Sequence, residues 1–220
     1  VQPHIIACRA RNPTSNKVRE KIALYSNVPL DRVFSMHDCE SIYIIPEMIR
    51  GAGLDQAVVD ILGLADRVHP EAEARATQIW DDYLAALRGA TETVAIGIAG
   101  KYTSVRDSYA SVIKALEHSG TKCGVRVQID WVETGELENA DAAARLANLD
   151  GLIVPGGFGI RGIEGKLACV QFARTTGLPF LGICLGFQIA VVEYARNTCG
   201  LTGANTTEVD GDCPHPVIDI

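Results

Sequence analysis

Pro179-Phe180-Leu181-Gly182-Ile183-Cys184-Leu185-Gly186-Phe187-Gln188 carries an apolar run into a second apolar segment through a turn that has glycine on either side of a cysteine. Pro179 to Ile183 reads as a buried strand, and Leu185 to Arg196 as the helix that follows it. Gly182-x-Cys184-x-Gly186 is the cysteine version of the sharp strand-to-helix turn that presents a side chain at a sheet edge. The glycines let the backbone bend tightly and leave room around the sulfur. The helix start directs its dipole and its first N–H groups to the same place, which favours a thiolate and offers donors to an oxyanion. Cys184 is therefore the candidate nucleophile, whereas Cys169, without such a setting, reads as core.

The pattern on the N-terminal side of this turn decides the fold class. Thr93 to Ala99, Val125 to Val132 and Gly151 to Val154 read as strands. Asp107 to His118, Ala140 to Ala147 and Gly165 to Thr175 read as the helices between them. Strands alternating with helices at this spacing predict an α/β, doubly wound, mostly parallel sheet over residues 92–220. Ligands of such sheets sit beyond the carboxyl ends of the strands, so the loops after Ala99, Val154 and Ile183 are where chemistry is expected.

The loop after Val154 is Pro155-Gly156-Gly157-Phe158-Gly159, a turn whose backbone N–H groups can hold a carboxylate or an oxyanion. Its Gly157-x-Gly159-x-x-Gly162 spacing is not a dinucleotide fingerprint, because no acidic residue occurs between Glu164 and Glu193. Gly100-Lys101 fails as a triphosphate loop, since position 95 is Ala95 and Tyr102 follows the lysine. Lys101 remains a candidate to face a ligand. A cysteine nucleophile ordinarily works with a histidine. His215 is the histidine that follows Cys184, but Pro214 and Pro216 on either side predict a turn there and make it a poor base.

Before residue 92 the texture differs. His4 to Cys8 and Arg32 to Met36 read as short strands, and Asn16 to Ser26 as a helix with Val18, Ile22 and Tyr25 on one face. Ile45 to Arg50 and Leu54 to Leu62 read as short helices. Pro70 to Arg88, with proline at its start and Gly89 after its end, reads as a linker helix within residues 64–91. Residues 9–32 hold six basic side chains (Arg9, Arg11, Lys17, Arg19, Lys21, Arg32) against Glu20 and Asp31, in a chain whose total charge is −7. So local a patch suits a small anion better than a nucleic-acid track.

The 220 residues are 47% hydrophobic, enough for two modest cores, with neither an apolar run of membrane-spanning length nor a signal pattern at the start. A cytoplasmic protein without a membrane partner is expected. Seven cysteines without a Cys-x-x-Cys pair suggest neither a zinc site nor a disulfide framework.

The segments Val154 to Gly165, Pro179 to Gln188, Glu193 to Asn197 and Ala204 to Glu208 together resemble the amidotransferase signatures of the CTP synthase family. Upstream, Lys21 to Pro29, Asp38 to Tyr43 and Ile45-Pro46 resemble the last part of that family's synthetase domain. The resemblance implies a class I, flavodoxin-like amidotransferase domain at 92–220, preceded at 1–63 by the tail of a P-loop-type α/β synthetase domain. It implies a carbon–nitrogen ligase that hydrolyses L-glutamine and uses the ammonia, with ATP, to convert UTP to CTP. It further implies Mg2+ with the ATP, on ligands outside this chain, GTP as allosteric activator, and a homotetramer. By position, Cys184 is the nucleophile, and Gly157, Leu185, Gly186, Phe187, Gln188 and Glu208 line the glutamine site. Phe158, Arg161, Gly162 and Glu164 form a lid or gate, Lys21 meets UTP or CTP phosphates, and His37, Asp38 and Cys39 meet the ATP adenine. Phe187 stands where methionine is commoner in the family, and His37-Asp38-Cys39 departs from its usual run. Both ends of the chain read as cut, with the triad's histidine and glutamate expected beyond Ile220, so that the chain alone is expected to be inactive. The rival enzyme is a freestanding class I amidotransferase or γ-glutamyl hydrolase, and the non-enzyme alternative an inert amidotransferase fold kept for binding.

Overall fold

In a computed structural model, which describes residues 2–101, 106–137, 142–157 and 159–219, the chain divides into two units, Val1–Arg88 and Gly89–Ile220. In the first, β1 (Ile6–Ala10) pairs in parallel with β2 (Val33–His37), Ile6 opposite Val33 and Ala10 opposite His37. Both strands start and end later than the sequence suggested. α1 (Asn16–Ser26) connects them and stops at Asn27, which adopts the left-handed conformation (φ 51°) that asparagine tolerates.

The expected face of α1 is wrong by one position. Val18 and Tyr25 are exposed, and the sides turned inward are Arg19, Ile22, Ala23 and Ser26, which share one face at helical spacing. Arg19 sets this rotation, because its Nε donates to the Val33 carbonyl of β2 at 2.7 Å.

α2 (Ile45–Ala52) and α3 (Leu54–Leu62) follow, joined at Gly53. α4 (Pro70–Gly89) is tied to the start of α2 and the turn before it. The indole of Trp80 donates to the Tyr43 carbonyl at 2.9 Å, and Tyr83 meets the Tyr43 ring edge-on at 5.4 Å. Asp81 and Arg88 form ion pairs with Arg50 and Glu47.

The second unit is built on a four-stranded parallel sheet. Its chain order is β3 (Glu92–Gly100), α5 (Ala110–Cys123), β4 (Val125–Glu133), α6 (Ala142–Leu146), β5 (Gly151–Val154), α7 (Ile163–Thr176), β6 (Phe180–Gly182) and α8 (Leu185–Asn197). The strand order is β4-β3-β5-β6 with every pairing parallel, the doubly wound arrangement that the alternation predicts. The order reverses beside β3, so the carboxyl ends of β3, β5 and β6 open onto one crevice. All four residues of β5 are buried, as expected for a central strand covered on both faces. Leu146, Leu152, Leu167, Val170, Leu185, Ile189 and Val192 make the core between sheet and helices.

α5 begins three residues later than expected and runs five further. A 3-10 turn, Arg106–Tyr109, precedes it and buries Tyr109 against Trp131. Gly120 does not end the helix, because its bare backbone lies against β4: a Cβ there would be 2.8 Å from the Val125 carbonyl oxygen. Gly124, at φ 72°, ends it instead. Beyond α8 the chain forms β7 (Ala204–Thr206), too short to read from sequence, paired in parallel with β8 (His215–Ile218). His215 thus opens a strand rather than a turn. Among the described residues β8 pairs with β7 alone in a two-stranded sheet, an edge position that tolerates Pro216. Among the described residues, no helix is long and apolar enough to cross a membrane.

Candidate active site

Cys184 lies between the end of β6 and the first residue of α8, with φ 53° and ψ −115°. A side chain carrying a Cβ is strained there, a cost of about 1–3 kcal/mol that the surrounding packing must sustain. The packing is visible at the two flanking glycines. A Cβ on Gly186 would sit 1.8 Å from the Val154 carbonyl oxygen, and one on Gly182 2.7 Å from the Gly186 backbone. The turn is therefore clamped against β5, and the Ile183 N–H donates to the Val154 carbonyl at 2.9 Å. Leu185, Ile189 and Val192 root α8 in the core, while Cys184 itself is exposed.

The N–H groups that follow are largely committed. Gly186 donates to the Ile183 carbonyl, and Phe187 and Gln188 both donate to that of Cys184. The Leu185 N–H, the first of the helix, has no backbone partner among the described residues. It is the donor this turn can offer to an oxyanion formed beside the sulfur.

Across the crevice, the glycine turn after β5 faces Cys184. A Cβ on Gly156 would lie 3.3 Å from the Cys184 Cβ and 3.8 Å from its sulfur. The next residue, Gly157, has Lys166 Nζ 3.9 Å from its Cβ position, and Gly159 has Lys101 Nζ at 3.6 Å. Lys101, from the end of β3, does face this turn. Lys166, in the first turn of α7, is 2% exposed, and sequence reading passed over it. Burial first, and then the Lys101 charge, hold its ammonium below the ordinary value of 10.5, partly offset by Cys184. The signal that could have found it is its place among Ile163, Leu167 and Val170, on the side of α7 that enters the core.

Of the remaining candidates in this unit, Gly162 caps the start of α7 and Arg161 before it is exposed. Glu164 pairs with Arg196 of α8 at 3.1 Å. Phe158 lies outside the described residues. Phe187 is exposed, and Gln188 is half-buried, its Oε1 enclosed without a hydrogen-bond partner among the described residues. Glu208 sits exposed in the turn after β7, its N–H held by the Thr206 hydroxyl at 3.3 Å. Cys184, Gly157 and residues 185–188 are thus brought to one crevice by the ends of β5 and β6, whereas Glu208 belongs to a separate turn.

Two other groups are structural. Burial pushes the Cys169 thiol up to about 12, as suits a core residue. Glu193 of α8 is fully buried and receives Arg174 through two nitrogens and the Asn197 amide. Burial raises its carboxyl, but the Arg174 and Asn197 hydrogen bonds and the Arg174 charge outweigh it, leaving the group below its ordinary value.

In the first unit, Lys21 is exposed on α1. His37 ends β2, with Nδ1 enclosed and lacking a partner among the described residues, and so is the Thr14 hydroxyl that follows β1. Asp38 pairs with Arg9, which withdraws one cation from the basic patch, and its N–H donates to the Ala10 carbonyl. The Cys39 thiol donates to the Ser41 carbonyl at 3.2 Å. Among the described residues, no group of three or more His, Cys, Asp or Glu is arranged to hold a metal ion.

A thiol on a strained strand-to-helix turn, facing a glycine turn at the carboxyl end of a parallel sheet, agrees with the family comparison. Residues 104–219 match the family described as glutamine amidotransferase class-I, and the chain belongs to that family. Residues 1–64 match the CTP synthase N-terminus. Proteins named CTP synthase resemble the chain over its whole length: 46% identity for Natronomonas pharaonis, 44% for Thermus thermophilus and 43% for Thermococcus kodakarensis, each over 220 residues. The chain spans 39% of the length of the first two and 40% of the third. A solved structure, the glutaminase domain of Trypanosoma brucei CTPS with bound acivicin, is 40% identical, with a TM-score of 0.55 over 58% of this chain and 50% of that one. The similarity to CTP synthase expected from the sequence segments is thereby established.

Proposed function

We propose that this chain is the part of a CTP synthase that joins the end of its synthetase domain, residues 1–63, to the Cys184-bearing half of its glutaminase domain, residues 92–220. In this reading the Cys184 sulfur attacks the side-chain carbonyl of L-glutamine. The carbon–nitrogen bond breaks, ammonia leaves, and water hydrolyses the thioester to glutamate. The Leu185 N–H and the turn at Gly157 stabilise the oxyanion, and residues 185–188 line the glutamine site with Glu208 as a further contact. Phe158, Arg161, Gly162 and Glu164 gate it. A histidine oriented by a carboxylate moves the proton in this reading.

The ammonia aminates UTP that ATP has phosphorylated at the uracil oxygen. Lys21 meets the UTP or CTP phosphates, and His37, Asp38 and Cys39 meet the adenine of ATP. The enclosed His37 Nδ1 and Thr14 hydroxyl, both lacking partners among the described residues at strand carboxyl ends, support a polar ligand there. Mg2+ accompanies the ATP on ligands outside this chain, GTP activates the glutamine half, and the assembled cytoplasmic enzyme is a homotetramer. The match of residues 1–64 to the CTP synthase N-terminus weighs against a freestanding amidotransferase or γ-glutamyl hydrolase.

The observation that carries this reading is Cys184 at φ 53° on the clamped turn opposite Gly156. The test is treatment of a CTP-forming protein that includes this chain with a glutamine-analogue diazoketone, followed by mass spectrometry. A covalent adduct on Cys184, blocked by excess glutamine, is expected. A protein that makes CTP from glutamine without ever carrying that adduct would overturn the assignment.

A further inference from the structure

We propose that Lys166 is a positioning residue of the thiol site, its buried ammonium stabilising the negative charge that Cys184 carries when it reacts. This rests on the reading of Cys184 as the reacting thiol and adds a residue to it.

The geometry begins with burial. Lys166 is among the most deeply buried side chains of the protein, at 2% exposure, yet it bears a charge that water would solvate far better. Buried lysines are ordinarily paired with a carboxylate. Among the described residues, no carboxylate pairs with Lys166. The carboxylates nearby in the fold are committed or turned elsewhere. Glu164, on the same helix, pairs with Arg196. Glu193 of α8 is held by Arg174 and Asn197. Glu133, at the end of β4, faces Gly135, as does Arg161. The charged neighbours that act on Lys166 are Lys101, just after β3, which repels it, and Cys184, in the turn between β6 and α8, which attracts it.

The two partners flank one dipeptide. The Cys184 sulfur is 3.8 Å from the Cβ position of Gly156, and Lys166 Nζ is 3.9 Å from that of Gly157. An ammonium and a thiol are thus set on successive residues of the turn that closes the crevice. A cation beside a cysteine raises the fraction present as thiolate, the form that reacts. A charge left in the core without a carboxylate lowers stability, and its placement on the turn that faces the reacting atom is what such a cost sustains.

The test is alkylation of Cys184 in the whole chain by iodoacetamide, followed peptide by peptide by mass spectrometry as a function of pH. Lys166→Met keeps the length of the side chain and removes the charge. It is expected to move the rate–pH profile of Cys184 upward by about one unit, so that at neutral pH the rate falls roughly tenfold. Lys166→Arg is expected to keep the profile near that of the unmodified chain. An unchanged profile in a folded Lys166→Met variant overturns the proposal.

If that variant does not fold, the coupling is read from the other side, because linkage between two charges is reciprocal. In the chain carrying Cys184→Ala, the Lys166 ammonium, followed by carbon-13 NMR of labelled lysine, is expected to deprotonate at lower pH than in the unmodified chain. An unmoved titration overturns the proposal. The diazoketone adduct is a separate readout. Its absence, with the alkylation profile still sensitive to Lys166, removes the glutaminase assignment and leaves the lysine–cysteine coupling standing.

Discussion

At Cys184 the strain and the proposed chemistry share one residue, and the two can be separated by substitution. Cys184→Gly relieves a backbone conformation, φ 53° and ψ −115°, that costs a side chain about 1–3 kcal/mol. Glycine gives back roughly 0.5–1 kcal/mol through the greater freedom of its unfolded state. The expected outcome is a variant about 1 kcal/mol more stable, read as a rise of a few degrees in the thermal midpoint, that forms no glutamine-analogue adduct. Gly186→Ala should do the opposite. Its Cβ would meet the Val154 carbonyl oxygen at 1.8 Å, so β5 and α8 must part, at a cost of about 3 kcal/mol read in denaturant unfolding. The cysteines divide in the same way. Cys169 is fully buried and its thiol is pushed up to about 12, so in the native chain at pH 8 it should resist iodoacetamide while Cys184 is modified. Equal labelling of the two in the folded chain would count against the burial assigned to α7. The residue scale is also where sequence reading was most and least successful. The elbow was legible because its strand, glycines, cysteine and helix are contiguous. Lys166 was not read, because a lysine at the spacing of Ile163, Leu167 and Val170 shares their buried side of α7, but only the packing of α7 against the Gly156-Gly157 turn shows what its ammonium faces.

Elements were legible to the extent that their own residues fix them. α1, α3 and β5 run over the residues that their sequence pattern predicts, because caps, glycines and apolar runs are local signals. The rotation of α1 was not, because Arg19 reaching the Val33 carbonyl of β2, rather than the apolar pattern, decides which side turns inward. α5 overran Gly120 for a comparable reason: contact with β4 rather than helix propensity accounts for that glycine. The joint between α7 and α8 gives a pH-dependent prediction. Glu193 is held below its ordinary value of 4.5, burial opposing and the Arg174 and Asn197 hydrogen bonds prevailing. A carboxyl lowered in the folded state contributes stability that is fully present above 4.5 and lost as the pH falls through the folded-state value. The thermal midpoint of the unmodified chain should therefore drop on acidification below that point by more than that of Glu193→Gln, whose side chain does not titrate. Parallel curves for the two proteins would mean that the carboxylate is not held as the Arg174 fork suggests.

For the molecule as a whole, the question is whether the two units serve one reaction. The first carries a basic stretch on β1 and α1 and enclosed polar atoms at His37 and Thr14. The second carries Cys184 on its clamped turn. A CTP synthase needs both, and a simple glutamine hydrolase needs only the second. Lys21 separates these cases because it is exposed on α1, so its loss leaves the core intact. In a CTP-forming protein that includes this chain, Lys21→Ala should raise the UTP concentration needed for half-maximal CTP synthesis by tenfold or more, since a charged hydrogen bond to phosphate contributes about 1.5–3 kcal/mol. Glutamine hydrolysis and the diazoketone adduct on Cys184 should persist in the same variant, because Lys21 makes no part of the elbow. The pair of measurements separates the outcomes: a raised UTP requirement with hydrolysis intact ties residues 1–63 to the nucleotide, whereas indifference of both activities to Lys21 removes Lys21 from the UTP site.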